Sequence, residues 1–298
     1  PAGPPPMITK RSAMPPAYGL ARVGLILSRR AWMSAMHAFD ADTAIRPVGP
    51  GEVEADMHAH WWVQRGPNGG FVAAQLLRAM AAEHGDPARS CRSMTIHYVS
   101  PPALRPVRIF AEVVRAGRSL TTMSARMVQD GEVRALALAS FSTSRPSYEM
   151  IELEAPAWPP VAEVAVLERP DVAPPVVSNY EVRNTLGVPF SGGEPETGGW
   201  IALAGGDRPL DQIAVAAITD GWLPAIYAHT TAPTFAVPTV DLTIHFRAPI
   251  PEGLIHCGVE FRTRLATDGF LEEDGLVFTP DGQILAQSRQ LAVLLPTP

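Results

Sequence analysis

The chain has 298 residues, of which 46% are hydrophobic and 18% are charged. That is enough apolar surface for a core, and it argues against a predominantly disordered chain. The formal net charge of −6 argues against a nucleic-acid-binding protein held by phosphate contacts. The two cysteines, Cys91 and Cys257, lack metal-ligand spacing and fit a reduced compartment better than a disulfide scaffold. We therefore expect a soluble, cytoplasmic protein without nucleic-acid partners.

Residues 1–35 differ in composition from the rest of the chain. They carry basic side chains but no acid, and the first acid is Asp40. The apolar run Val23–Leu27 is too short for the hydrophobic region of a signal peptide, and no apolar segment follows the paired arginines of "SRRAW". We expect residues 1–35 to be a disordered or vector-derived extension, upstream of a start at Met36. No run in the chain approaches the ~18 apolar residues that a membrane span needs.

One strand-like stretch occurs twice in the chain. "CRSMTIHYVSPP" begins at Cys91 and "PTVDLTIHFRAP" begins at Pro238, and both contain Thr-Ile-His-aromatic with a proline soon after. Apolar and polar residues alternate with period two in both stretches, which is typical of a β-strand. Thr95 and Thr243 occupy equivalent positions in the two copies.

The repeat extends beyond this strand. In the first half "VRIFAEVVRAG", "LTTMSARMVQDG" and "VRALALASFSTS" follow, and in the second half "GLIHCGVEFRTRLA", "FLEEDGLVFTPDG" and "QILAQSRQLAVLL" follow. Both runs consist of strand-like segments separated by glycine-bearing turns, and "QDG" matches "PDG". The last strands align Leu138-Ala139 with Leu285-Ala286. The chain therefore predicts a duplicated unit.

A helix-like segment precedes each run of strands. The first, "GGFVAAQLLRAMAAEHG", begins at Gly69 and ends at Gly85. The second, "DRPLDQIAVAAITDGWLPAIYAH", has Asp207 as its predicted N-cap and Pro209 in its first turn. It is apolar on every side, which is typical of a helix that is buried all round. One buried helix followed by a curled antiparallel sheet that wraps it is the hotdog architecture, so we predict an α+β double hotdog of two tandem repeats.

The predicted domain boundaries follow from this duplication. Between the halves, "EAPAWPPVAEVAVLERPDVAPP" is rich in proline and is typical of a linker that runs over the surface. We predict an N-terminal hotdog at residues 36–150, the linker at residues 151–177 and a C-terminal hotdog at residues 178–298.

Several segments, in order along the chain, resemble one family. "NGGFVAAQLL" (Asn68–Leu77) resembles the Gly-Gly-x-Val-x-x-Gln helix opening of acyl-CoA thioesterases of the thioesterase II type. "RAGRSLTTMSARMVQDGEVRALALASFS" resembles the strand-turn-strand segment of that family, and "ITDGWLP", "TVDLTIHF" and "LAQSRQL" resemble its second-half segments. The resemblance covers roughly Trp61–Leu295.

This resemblance implies an activity and a site. Members of the family hydrolyse the thioester of acyl-CoA with an Asp, a Ser or Thr, and a Gln that together hold the attacking water. Position by position, these residues are Asp220, Thr239 and Gln290, all in the predicted C-terminal hotdog. The implied reaction uses no metal, no other cofactor and no covalent intermediate.

The residues alone leave the role of Asp220 open. On the predicted helix it lies in mid-helix beside Gly221, on the face of Ile213, Ala216 and Ala217. Burying an unpaired carboxylate costs several kcal/mol, so this group must be hydrogen-bonded, shifted in pKa, or both. A carboxylate that caps backbone groups or lines a cavity would satisfy the same constraint.

Gln290 carries an amide on the strand face of Ala286, Ser288 and Ala292. An unsatisfied buried amide costs ~1–3 kcal/mol, so this side chain needs partners, for which the backbone of a neighbouring strand would suffice. Gln287 projects to the opposite face and is the weaker candidate.

Thr239 begins the second copy of the repeated strand, on the face that is predicted to carry Asp241, Thr243 and His245. Threonine is an ordinary strand residue, so nothing but the resemblance singles it out. Thr234 and Thr243 remain alternatives for the same role.

Other candidate groups have weaker patterns. His97 and His245 are equivalent in the repeat, which favours two strand histidines over a pair of general bases. The chain contains no Gly-x-Ser-x-Gly elbow, which argues against serine-hydrolase chemistry. Asn68, Gly69 and Gly70 open a helix, and their backbone N–H groups are candidate substrate-binding donors to a thioester carbonyl, although a tight turn into the helix explains them equally.

We therefore predict an acyl-CoA thioesterase that acts on an acyl-CoA substrate. The alternatives are a non-catalytic protein that binds acyl-CoA or acyl-carrier protein, and a hotdog hydratase, which would need an Asp/His pair that is not evident beside Asp220. Hotdog sheets expose edges and faces that need covering, so we also expect a homodimer or a larger homo-oligomer.

Overall fold

The computed structural model describes Gly3, residues 36–170 and residues 173–297. The expected extension at residues 1–35 therefore lies, apart from Gly3, outside the described residues. The helices are α1 (Ala38–Asp42), α2 (Gly69–His84), α3 (Gln212–Ile218) and α4 (Ile226–His229). The strands are β1 (Ile45–Gly49), β2 (Glu52–Ala55), β3 (Ser90–Tyr98), β4 (Val107–Ala116), β5 (Leu120–Gln129), β6 (Glu132–Ser142), β7 (Tyr180–Leu186), β8 (Glu196–Leu203), β9 (Phe235–Ala236), β10 (Thr239–Phe246), β11 (Cys257–Arg262), β12 (Ala266–Thr267), β13 (Phe270–Phe278), β14 (Ile284–Val293) and β15 (Leu295–Pro296). In these described ranges, no helix has the length and apolar character that crossing a membrane requires.

The described strands, apart from the short pair β9 and β15, form one antiparallel sheet of 13 strands. Its order is β1-β2-β4-β5-β6-β3-β10-β14-β13-β11-β8-β7, with β12 beside β13. The two halves of the chain therefore occupy the two halves of the sheet, and they meet where β3 pairs with β10.

The repeated stretch forms this central seam. Thr95 lies opposite Thr243, with their hydroxyl oxygens 3.0 Å apart although 148 residues separate them in the chain. Ile96 pairs with Leu242 and Met94 pairs with Ile244, so the pairing is symmetric about the two threonines. The strand occurs twice because it is the edge by which each copy of the unit joins the other, and the pairing removes two open sheet edges.

A buried helix lies against the sheet in the N-terminal half. The side chain of Asn68 caps α2 by accepting a hydrogen bond from the N–H of Phe71 at 3.1 Å. Gly85 ends the helix with a φ of 67°, in the left-handed region that glycine adopts readily. α2 packs against β3, β4 and β5 on one side and against α3 on another, and most of its residues are buried.

The second helix begins later than predicted. α3 follows Asp211, whose carboxylate accepts a hydrogen bond from the N–H of Ala214 at 2.8 Å. Asp207 is therefore not the N-cap, and Pro209 precedes the helix instead of lying in its first turn. The prediction was wrong because both aspartates are good N-cap residues, and the sequence pattern does not distinguish them.

The second helix also ends earlier than predicted. It stops at Ile218, and Asp220 lies in the following turn, not in mid-helix. Gly221 and Pro224 disfavour a continuous helix here. Glycine loses more backbone entropy than other residues when it becomes helical, and proline lacks the N–H that a helical hydrogen bond needs. The prediction that α3 is buried on every side is confirmed, since all residues from Ala214 to Ile218 are buried.

Each half contains strands that the sequence did not indicate. β1 and β2 precede α2, and β7 and β8 precede α3, so a helix does not come first in either half. Pro47 in β1 and the glycine pair of "ETGGWIAL" in β8 weaken the strand pattern in the sequence.

The alignment of the last strands was also wrong. Leu138 lies opposite Thr95, and Arg289 lies opposite Thr243. Because the two threonines are equivalent, Leu138 corresponds to Arg289 and Ala139 corresponds to Gln290, not to Leu285 and Ala286. Strands with period-two alternation accept any even shift, so only the pairing fixes the register.

The proline-rich segment between the halves lies over the C-terminal half of the sheet. The ring of Trp158 is 5.6 Å from that of Trp200 and 5.1 Å from that of Phe278. The indole N–H of Trp200 donates a hydrogen bond to the carbonyl of Pro159 at 2.9 Å. These contacts attach the segment to the outside of β8 and β13.

Candidate active site

Asp220 faces the N-terminus of α2. Its Oδ2 accepts hydrogen bonds from the side-chain amide of Asn68 at 2.8 Å and from the backbone N–H of Gly70 at 3.0 Å. The Asn68 amide also donates to the backbone carbonyl of Asp220 at 2.7 Å. The first turn of a helix carries free N–H groups and a partial positive charge, so this position favours a carboxylate.

Close backbone contact explains Gly70 at this helix start. A Cβ at Gly70 would lie 2.1 Å from the carbonyl oxygen of Ala217, at the end of α3. Only a residue without a side chain lets the two helices approach so closely. The carbonyl of Gly69 accepts a hydrogen bond from the hydroxyl of Tyr98 at 2.8 Å, which fixes the same turn from the side of β3.

Thr239 points to the inner face of the sheet, and the prediction that it shares a face with Asp241 and His245 was wrong. Thr239 lies opposite Ala292 and Asp241 lies opposite Leu291, so the intervening residue is an extra one, in a β-bulge. The bulge turns Thr239 inward. Its hydroxyl oxygen is 3.0 Å from Oε1 of Gln290 and 3.4 Å from Oδ1 of Asp220.

The two alternative threonines lie elsewhere. Thr234 is exposed, and the hydroxyl of Thr243 contacts Thr95 at the seam. Of the three candidates, Thr239 is the one that contacts both Asp220 and Gln290.

Gln290 lies on the buried face of β14 with Ala286, Ser288 and Ala292, as predicted. Its amide nitrogen donates a hydrogen bond of 2.7 Å to Glu273, which lies directly opposite on β13. The three residues Asp220, Thr239 and Gln290 thus come from a turn and two strands and meet in one hydrogen-bonded group.

The sequence reasoning missed Glu273. Its carboxylate is buried, and it also accepts a hydrogen bond from the backbone N–H of Ala225 at 2.6 Å. Within "FLEEDGLVF" it occupies an inward position between Leu271 and Gly275, and an acid at an inward position was the available signal.

Burial raises the pKa of Asp220 to about 6. Hydrogen bonds from the backbone N–H groups of Gly70 and Gly69 and from the amide of Asn68 act in the opposite direction, because they stabilise the ionised form. Such a carboxylate changes its charge near neutral pH, which suits a general base.

Burial likewise raises the pKa of Glu273 to about 7, while the hydrogen bonds from Ala225 and Gln290 lower it. The negative charges of Asp220 and Glu272 contribute to the same upward shift of this pKa. Tyr98 and Tyr180 also have raised pKa values, first because they are buried and second because Asp220 is near, so both phenols stay neutral.

The remaining candidates lie away from this group. His97 and His245 are exposed on the outer face of the central strands. Cys91 and Cys257 are buried, and burial raises the pKa of each thiol to about 12, so neither forms a thiolate near neutral pH. Across the described part of the chain, no three His, Cys, Asp or Glu side chains are grouped as a metal site would require.

Comparisons with known proteins point to one family. A model of the acyl-CoA thioesterase N-terminal domain matches residues 58–142, and a model of the acyl-CoA thioesterase C-terminal domain matches residues 153–294. A search of curated proteins found no match.

Solved structures share the fold. A conserved hot dog fold protein of unknown function from Alicyclobacillus acidocaldarius is 29% identical, with a TM-score of 0.81 over 88% of this chain and 100% of that chain. A proposed thioesterase II from Thermobifida fusca is 24% identical, with a TM-score of 0.77 over 87% of this chain and 98% of its own. An acyl-CoA thioesterase II from Mycobacterium marinum is 20% identical, with a TM-score of 0.70 over 87% of this chain and 99% of its own.

The fold and these comparisons define a thioester hydrolase with a double hotdog fold. The chain belongs to the acyl-CoA thioesterase family, whose two domain models together match most of its length. The predicted fold and the resemblance to this family are thereby confirmed.

Proposed function

We propose that the protein hydrolyses an acyl-CoA thioester to a free acid and coenzyme A, through a water held by Asp220, Thr239 and Gln290. The observation that carries this proposal is the convergence of these three side chains, with Thr239 within 3.0 Å of Gln290 and 3.4 Å of Asp220. Family membership supports acyl-CoA as the substrate class.

The reaction needs one base and a positioned water. The water oxygen attacks the acyl carbonyl carbon while Asp220 accepts a proton from the water. The carbon–sulfur bond then breaks, and the sulfur leaves with the bonding electron pair as the thiolate of coenzyme A. A thiolate is a good leaving group, so the enzyme does not have to protonate it strongly. General-base action contributes ~10²- to 10⁴-fold, and positioning of the water adds to it.

The thioester carbonyl would bind at the start of α2. Asn68, Gly69 and Gly70 are the proposed substrate-binding residues. Asn68 and Gly70 hydrogen-bond to Asp220, so a carbonyl bound beside them would lie next to the base. Negative charge that develops on the carbonyl oxygen is stabilised at a helix N-terminus.

The division of labour between the halves is also a proposal. The C-terminal hotdog, residues 178–298, would supply the catalytic side chains, and the N-terminal hotdog, residues 36–150, would supply the binding turn, with residues 151–177 as the linker. We propose a homodimer or a larger homo-oligomer, because Leu136 and Leu138 on the outer face of β6 are 45% and 58% exposed. Light scattering on the purified protein measures its oligomeric state.

Thiol release from a panel of acyl-CoAs, short to long, tests the proposed activity. We predict turnover of at least part of the panel, with one free acid formed per thiol released. Saturable binding without thiol release would favour a binding protein instead. A hydrated product that keeps its thioester would favour a hydratase.

A further inference from the structure

We propose that Glu273 is a positioning residue that fixes the direction of the hydrogen bonds in the active site through the amide of Gln290. This proposal rests on the proposed function, in which Asp220 is the base. Glu273 and Gln290 are directly opposed on β13 and β14. Oε1 of Glu273 accepts a hydrogen bond from Nε2 of Gln290 at 2.7 Å, and Oε2 accepts one from the N–H of Ala225 at 2.6 Å.

The chemistry of the carboxylate sets the orientation of the amide. When Glu273 is ionised, its carboxylate can only accept hydrogen bonds, so the NH2 group of Gln290 must face it. The carbonyl oxygen of Gln290 then faces Thr239, at 3.0 Å. Because of Glu273, Gln290 directs its carbonyl oxygen, and not its NH2 group, toward Thr239.

This orientation determines where the proton of Thr239 goes. A hydroxyl has one proton, and Thr239 has two candidate acceptors, Gln290 at 3.0 Å and Asp220 at 3.4 Å. With the carbonyl of Gln290 in place, the proton goes to Gln290, and Oδ1 of Asp220 stays available to a water. If the amide rotated by half a turn, its NH2 group would face Thr239, and the threonine proton would move to Asp220. The base would then be occupied and less basic.

The duplicated half shows that the fold itself does not need this carboxylate. By strand pairing, Ala139 corresponds to Gln290, and its partner Met123 corresponds to Glu273. Met123 is 0% exposed and Ala139 is 2% exposed, so an apolar pair builds the same part of the sheet in the N-terminal half. Glu273 is 4% exposed, and a buried carboxylate costs folding free energy. The carboxylate is present only in the half that carries Asp220, which favours a role in the reaction over a role in folding.

The second carboxylate oxygen of Glu273 contacts the segment that carries Asp220. Ala225 follows the turn that contains Asp220, and its N–H is held by Glu273. The glutamate therefore connects the strand that carries Gln290 to the segment that carries Asp220. The positions of Gln290 and of the segment that carries Asp220 therefore both depend on Glu273.

Variants of Glu273 and Gln290 test the direction of the hydrogen bonds that link Glu273, Gln290 and Thr239. In Glu273→Gln the new amide has one acceptor for two donors, Ala225 and Gln290, so Gln290 must rotate. We predict that kcat falls by about 10- to 100-fold. This is the range found in metal sites when a residue that orients a ligand through a hydrogen bond is removed. KM should change by less than about 2-fold.

The double variant Glu273→Gln/Gln290→Glu restores the direction. The amide at position 273 can accept from Ala225 and donate to the carboxylate at position 290, whose other oxygen accepts the proton of Thr239. We predict that this variant has a kcat at least about 5-fold above that of Glu273→Gln, which is more than independent effects allow. A purely structural role would give a double variant no better than the single one, and this result would overturn the proposal, as would a wild-type kcat in Glu273→Gln.

Two controls separate this proposal from folding and from the proposed function. Glu260→Gln changes another buried glutamate, on β11, whose ion-pair partner is Arg262, and it should keep the wild-type kcat. Melting temperatures identify any variant that fails to fold, and the comparison between single and double variants is then made at a temperature at which both are folded. If Asp220→Asn is inactive but Glu273→Gln has wild-type kcat, only the role of Glu273 is wrong. If Asp220→Asn is active, the proposed function is wrong.

Discussion

At Asp220, burial and hydrogen bonding act on the pKa in opposite directions, and burial is the larger effect. The pKa of about 6 leaves the group ionised at neutral pH but still able to accept a proton. A fully solvated aspartate would be a weaker base, and a buried carboxylate without the donors of Asn68 and Gly70 would have a still higher pKa. The balance between the two effects is what makes this residue suitable as a base.

The pKa values predict the pH dependence of turnover. The base Asp220 must be ionised, and burial raises its pKa to about 6. Glu273 must be ionised to hold the amide of Gln290, and burial, together with the nearby charges of Asp220 and Glu272, raises its pKa to about 7. We therefore expect kcat to be constant above neutrality and to fall as pH drops through this range. In Glu273→Gln the residual rate should depend on a single ionisation. A kcat that stays constant down to about pH 5 would contradict both assignments.

At the scale of elements, the N-terminus of α2 serves both the fold and the site. Asn68 caps the helix with its side-chain oxygen and holds Asp220 with its side-chain nitrogen. We predict that Asn68→Ala lowers the free energy of unfolding by about 0.5–2 kcal/mol, as the loss of an N-cap does. It should also move the acid limb of the pH–rate profile to higher pH, because the lost amide favours the ionised form of Asp220.

Asp211→Ala is the matched control for this prediction. It removes the N-cap of α3 without removing a hydrogen bond to Asp220. A similar loss of stability with an unmoved acid limb is expected. If both variants moved the acid limb of the pH–rate profile equally, the shift would come from a general loss of helix stability. The contact between Asn68 and Asp220 would then not be its cause.

The same elements show what the sequence could and could not predict. The seam strands and α2 were predictable because their alternation and capping residues are local signals. The inward position of Thr239 was not, because a β-bulge breaks the alternation without leaving a mark in the sequence. Glu273 was predictable in principle, because period-two alternation places it on the inward face with Leu271, and it was missed although that local signal was present.

At the scale of the whole molecule, both halves contribute residues to the candidate site. The candidate catalytic side chains belong to the second half, whereas Asn68 and Gly70, which hold Asp220, belong to the first. The pairing of β3 with β10 joins the halves into one sheet. A single half would leave Asp220 without two of its hydrogen-bond donors, which gives a physical reason for both copies to persist in one chain.

Single-turnover thiol release by Asp220→Asn, compared with Asp241→Asn, tests the central claim most directly. Asp241 is close in sequence, but it lies opposite Leu291 on the exposed side of β14, so its amide variant should react as the wild type does. Asp220→Asn keeps the size of the side chain and removes the base, and we predict a loss of about 10²- to 10⁴-fold in rate with the fold intact. A rate for Asp220→Asn within a few-fold of the wild type would contradict the assignment of the base, and with it the hydrolytic site described above.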